Sequence, residues 1–172
     1  MKVRKTAGFP PASAPDDTHG DGPDFELIEL FFFAYRDFVG EPDRLLEKHG
    51  FGRAHHRVLH FVNRNQGLHV AELLELLEIT KQSLARVLKD LIEAGLIEQR
   101  AGETDRRQRL LFLTAEGAAL AASLAEMQDA RVARAKAAIG AHNRGTIVRF
   151  LSELIDPRAS LLPRKATEPR QP

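Results

Sequence analysis

The sequence contains no cysteine. That excludes disulfides, thiolate catalysis, cysteine-rich zinc sites and thiol redox sensing, and it fits a reducing compartment. Charge of one sign is also lacking. Lys and Arg number 25 against 24 Asp and Glu, a formal net charge of +1, so the chain is no bulk polycation and any anion binding must come from local clustering. Long apolar runs are missing as well. The greasiest stretch, LIELFFFAY, is interrupted by Glu29 and followed by Arg36 and Asp37, well short of the ~20 residues a membrane helix needs. The basic start MKVRK leads into Pro, Gly and Asp instead of an apolar signal core, so no export signal is expected and the chain reads as cytoplasmic, with no membrane partner. There is no glycine-rich phosphate loop, no nucleophile elbow and no carboxylate pair at a recognisable spacing, so neither an enzyme nor a cofactor is expected.

What is present is a chain of 172 residues, enough for one domain with a real core. Residues 1–22 and 157–172 cannot bury enough apolar surface to offset their ordering entropy and read as mobile tails. From Asp24 to Val39 the pattern is apolar nearly all round, which predicts a helix covered on every side, in part by a second chain. Pro42 suits the first turn of a separate short helix through Lys48, ended by Gly50 and Gly52. These residues, 23–50, form a first helical region.

Residues 51–114 carry a different order. A helix over Ala54 to Asn65 closes at Gln66-Gly67, and VAELLELLEI repeats Val70, Leu73, Leu74 and Leu77 at helical spacing. Thr80, a good N-cap, then opens another helix with no Gly or Pro between the two. In TKQSLARVLKDLIEAG, Leu84, Val87, Leu88, Leu91 and Ile92 make one apolar stripe, and Gly95 supplies the stop. Gln82, Arg86 and Lys89 fall on the opposite, wet face. The period then changes to that of strands: LIEQR and RLLFLT, joined by the charged loop AGETDRRQ, predict a β-hairpin. Residues 115–156 return to helix, first alanine-rich from Thr114, then NRGTIVRFLSELI.

Helix, tight turn, helix and a two-stranded hairpin with a basic tip is the layout of a winged helix-turn-helix, so the fold expected is mainly α (α+β) with a two-stranded β-wing and helical dimerisation regions at both ends. The second helix of such a pair enters the DNA major groove. Gln82 suits adenine and Arg86 suits guanine or phosphate, while Thr80, Ser83 and Lys89 suit phosphates. A wing reaching the minor groove profits from the concentrated charge of Arg106, Arg107 and Arg109. Asp105 can hold the Arg107 guanidinium extended.

The segments TKQSLARVLKDLIEAGLIEQR and DRRQRLLFLTAEG resemble the MarR family of transcriptional regulators, and the resemblance covers residues 24–156. It implies that Lys81, Gln82, Ser83 and Arg86 face the major groove and that Asp105 and Arg107 set the wing tip. It further implies a homodimer on an operator of double-stranded DNA, released by a small aromatic or anionic effector. Phe32, Tyr35, Arg36, His56 and His60 are candidates for lining the effector pocket. His56 and His60 could share a helix face beside His49 and His55, as two ligands of a metal would. No HExxH-like arrangement completes a site, so no metal is assigned. A metal-responsive regulator and a winged-helix module that binds protein are the alternatives.

Overall fold

The computed structural model describes residues 22–102 and 108–156. Apart from Gly22, the expected tails lie outside the described residues, as do the tip residues Asp105, Arg106 and Arg107. Helix α1 runs Phe25–Glu47 and passes straight through Pro42, where the sequence predicts a break and a second helix. Proline's fixed φ fits a helix, and it removes only one backbone donor. Pro42 is buried one turn before buried Leu46, so packing of that face offsets the missing bond. The chain divides into two compact units within α1, residues 1–35 and 36–172. In the first, Phe25, Leu27, Ile28, Phe31, Phe32 and Tyr35 are exposed.

The second unit continues with α2 (Arg53–Arg64), β1 (Leu68–His69), α3 (Val70–Leu77), α4 (Lys81–Glu93), β2 (Ile97–Ala101), β3 (Arg109–Leu113), α5 (Ala115–Ile139) and, after one short 3-10 turn, α6 (Arg144–Glu153). The apolar stripes meet as their periods predict. Val58, Leu59 and Val62 of α2 are buried with Leu73 and Leu77 of α3, Leu84, Leu88 and Leu91 of α4, Ile97 and Leu111 of the sheet, and Leu124 of α5. Ile92 departs from its expected stripe and stands 36% exposed.

The sheet has three antiparallel strands, in the order β1-β3-β2, where a two-stranded hairpin is expected. Ile97 pairs with Leu113 and Ala101 with Arg109 across the predicted hairpin, and Leu68 and His69 pair with Leu111 and Leu110 on its other edge. A strand of two residues is too short to show alternation, so periodicity cannot reveal it. Gly67, at φ +81°, turns the chain into it, and the Gly67 N–H donates to the Leu111 carbonyl at 2.8 Å.

Two junctions set the angles between helices. The turn from α3 to α4 contains no glycine, and Glu78 takes the left-handed conformation there, at φ 50° and ψ 44°, which costs a non-glycine residue roughly 1–2 kcal/mol. Thr80 then caps α4, its Oγ1 accepting from the Ser83 N–H at 3.1 Å. At the start of α5, the Thr114 hydroxyl accepts from the Gly117 N–H at 3.0 Å and donates to the Gly95 carbonyl at 2.6 Å. This draws the first turn of α5 against the turn that follows α4. A Cβ on Gly117 would stand 1.9 Å from the Leu96 carbonyl oxygen.

His56 is buried on α2, near Gln128 of α5. Burial first, then the neighbouring His60, push its pKa below the ordinary 6.5; Asp43 and Gln128 oppose them. Folding therefore favours the neutral ring over the charged one.

Gly117→Ala is expected to destabilise the fold by about 1–3 kcal/mol through overpacking, and an unchanged thermal midpoint would contradict the close approach. Because the unfolded chain takes up the His56 proton at a higher pH than the folded one, this group's contribution is intact above about pH 6.5 and declines as pH falls below it. Chemical denaturation from about pH 7.5 down to about pH 5.5 should show that loss, with a shallower slope in His56→Gln; equal slopes in the two proteins would show that His56 does not contribute.

Candidate nucleic-acid interface

The face that α4 turns to solvent is built from the residues that its period places there. Thr80, Lys81, Gln82, Ser83, Arg86 and Lys89 are all exposed, while Leu84, Val87, Leu88 and Leu91 are buried behind them. The Thr80 hydroxyl also donates to the Ser83 hydroxyl at 2.9 Å. Cap and first turn thus hold each other, and the Lys81 and Gln82 amides at the helix start lie where an anion is favoured. Lys89 makes an i,i+4 pair with Glu93 at 3.7 Å; both ends are largely exposed, so it leaves Lys89 available to another anion.

Beside this face lies a groove of about 970 Å³. Leu84, Leu88 and Ile92 of α4 and Val70 and Leu74 of α3 supply its apolar wall, and Lys81, Lys89 and Arg109 stand at its margin with Gln99 and Gln108. The fold thus brings Arg109, the described member of the arginine cluster, to the same side of the molecule as the wet face of α4. Gln99 and Gln108 carry no signal in the sequence; they reach the groove because β2 and β3 pair alongside α4. Arg100 on β2 is already engaged, ion-paired to Glu98 and held 4.3 Å over the Phe112 ring.

The residues expected to receive an effector have separate settings. Phe32 and Tyr35 belong to the first unit, where they are 69% and 54% exposed. Arg36 pairs with Asp37 at 2.8 Å; their hydrogen bond raises the Arg36 pKa and lowers that of Asp37. The histidines have different settings: His49 and His55 lie beside Phe51, His56 is buried, and His60 meets Phe61 edge-on at 5.1 Å. Among the described residues there is no group of three or more His, Asp or Glu that could hold a metal, and no helix is long and apolar enough to cross a membrane.

What sequence reasoning misses is how α2 grips both helices of the pair. Arg57 donates to the Leu77 carbonyl at the end of α3, at 3.0 Å. His55 reaches Asp90 of α4 at 3.2 Å, across 35 residues of chain. The histidine three places after Gly52 hints at a helix cap, but nothing in the sequence pairs it with an aspartate so distant.

The sequence model of the MarR family matches residues 49–108, from just after α1 to the start of β3. The chain is 48% identical over 130 residues to the HTH-type transcriptional regulator PetP of Rhodobacter capsulatus, covering 76% of this chain and 78% of that one. Its fold is similar to that of a SlyA-like transcription regulator from Listeria monocytogenes, with a TM-score of 0.62 at 20% identity over 74% of this chain and 85% of the other. It is likewise similar to NadR solved in complex with 4-hydroxyphenylacetate, with a TM-score of 0.63 at 23% identity over 82% and 97%. With a capped helix α4 that exposes Lys81, Arg86 and Lys89 beside a three-stranded sheet, and with 48% identity to PetP over 130 aligned residues, this protein belongs to the MarR family: it is a winged helix-turn-helix transcriptional regulator, not an enzyme.

Proposed function

We propose that the chain acts in the cytoplasm as a homodimeric repressor on a pseudo-palindromic operator, and that a small aromatic or anionic ligand modulates it. The observation that carries the DNA half of this reading is the exposed face of α4, where Lys81, Gln82, Ser83, Arg86 and Lys89 stand together with Arg109 at the groove beside them. Gln82 and Arg86 offer the amide and guanidinium that read adenine and guanine edges; Lys81, Ser83, Lys89 and the amides behind Thr80 hold phosphates. The wing residues Arg106 and Arg107 extend the contact into the minor groove, with Asp105 holding the Arg107 guanidinium extended.

Two-fold pairing is supported by apolar side chains that each unit leaves in solvent. The first exposes its Phe-rich helix; the second exposes Val132 and Ile139 of α5 and Phe150, Leu151 and Leu154 at α6. A partner copy would bury such surface and set two recognition helices about one turn of DNA, ~34 Å, apart. The ligand half rests on kinship of fold with NadR, whose structure holds 4-hydroxyphenylacetate, an aromatic carboxylate. Such a ligand would release DNA by favouring a helix spacing that no longer matches the grooves.

Selection of bound duplexes from a random-sequence library with purified protein is expected to enrich a palindromic motif. Affinity for it should fall steeply with salt, by a log–log slope of about −0.9 per phosphate contact. Absence of both enrichment and salt dependence would favour a module that binds protein. On the enriched duplex, Arg86→Ala should lose sequence preference as well as affinity, whereas an equal loss on random DNA would make Arg86 a phosphate contact. Arg107→Ala should weaken binding by about 1–3 kcal/mol while light scattering still reports the dimer; unchanged affinity would remove the wing tip from the contact.

A further inference from the structure

His55 lies outside the DNA-facing surface, yet it is tied at both ring nitrogens. The Gly52 N–H donates to Nδ1 at 3.1 Å, and Nε2 lies 3.2 Å from Asp90 Oδ2. Because Nδ1 accepts, the ring proton must sit on Nε2, where it is donated to Asp90. The ring is largely buried, its side chain 14% exposed, and Phe51 packs on it with centroids 4.9 Å apart. A ring bonded at both ends and covered on its face cannot turn. The carboxylate it holds stands one helical turn beyond Arg86 on α4.

We infer that His55 is a positioning residue for base reading: through Asp90 it fixes the rotation of α4 about its own axis. The leverage follows from helix dimensions. Side chains reach roughly 5–6 Å from the axis, so a roll of about 10° carries Gln82 and Arg86 about 1 Å sideways. A shift of that size spoils a directional bond to a base edge, whereas attraction between a lysine and a phosphate falls only slightly. Arg57 at the Leu77 carbonyl holds the end of α3 in the same way, which leaves rotation of α4 as the freedom that the His55 link removes. The inference rests on the operator-reading role proposed above.

Asp90→Ala and Asp90→Asn remove the same negative charge, but only the asparagine still offers an oxygen to the Nε2 proton. Any general gain of DNA affinity from losing that charge is therefore common to both. The probes are the duplex enriched by the wild-type protein and a random duplex of equal length, measured by fluorescence polarisation beside thermal melting and light scattering. Asp90→Ala is expected to lose about tenfold or more on the enriched duplex relative to random DNA, with its melting point and dimer preserved. Asp90→Asn should recover most of that ratio, and His55→Ala should add nothing further to Asp90→Ala. Equal ratios for the alanine and asparagine variants, or a loss on both duplexes in step with a falling melting point, would overturn the inference. A wild-type protein that shows no preference between the duplexes would overturn the operator-reading role itself.

Discussion

Everything in the winged helix-turn-helix of this protein hangs on what helix α2 holds. Val58, Leu59 and Val62 bring it into the core with α3, α4, α5 and the sheet. At burial worth roughly 1.5–3 kcal/mol per large aliphatic side chain, this packing outweighs any polar contact nearby. The polar residues of the same helix add direction to that adhesion. His55 bonds α4 and Arg57 bonds the end of α3, with His56 buried between them, three consecutive residues about 100° apart around one turn. Apolar burial holds the helices together with little preference for angle, and the hydrogen bonds choose among the angles.

The exposed face of α4 shows how a chain with a net charge of only +1 can still concentrate positive charge in one place. Acidic residues cancel the total, Glu72 and Glu93 of the adjoining groove among them, while the helical period gathers Lys81, Arg86 and Lys89 on one side of α4, with Arg109 at that groove. At physiological salt, charges more than about 8 Å apart are largely screened, so what a phosphate meets is this local concentration. The strained backbone at Glu78 and the cap at Thr80 belong to the same economy. The first turns the chain without glycine, and the second leaves the opening amides of α4 pointing outward.

Much of this was legible in the residues themselves. Period and caps determined α2, α4, the paired strands and α5 to within a residue or two, because side-chain spacing and hydroxyl caps act within a few positions of one another. The exposed set on α4 followed from the same period. The break expected at Pro42 did not occur, since the burial that carries α1 through it comes from packing. The third strand is two residues long and exists only because β3 lies beside it.

The sequence by itself therefore determined the order of elements, the wet face of α4, and the exclusion of cysteine chemistry, all of which depend on neighbours along the chain. Only the tertiary structure decided that Arg109 shares a groove with Lys81 and Lys89, that Gly117 must remain small beneath the Leu96 carbonyl, and that His55 grips Asp90. Each of these joins residues tens of positions apart. Such a contact is set by how whole helices and strands come to rest in a shared core, and local spacing carries no record of it.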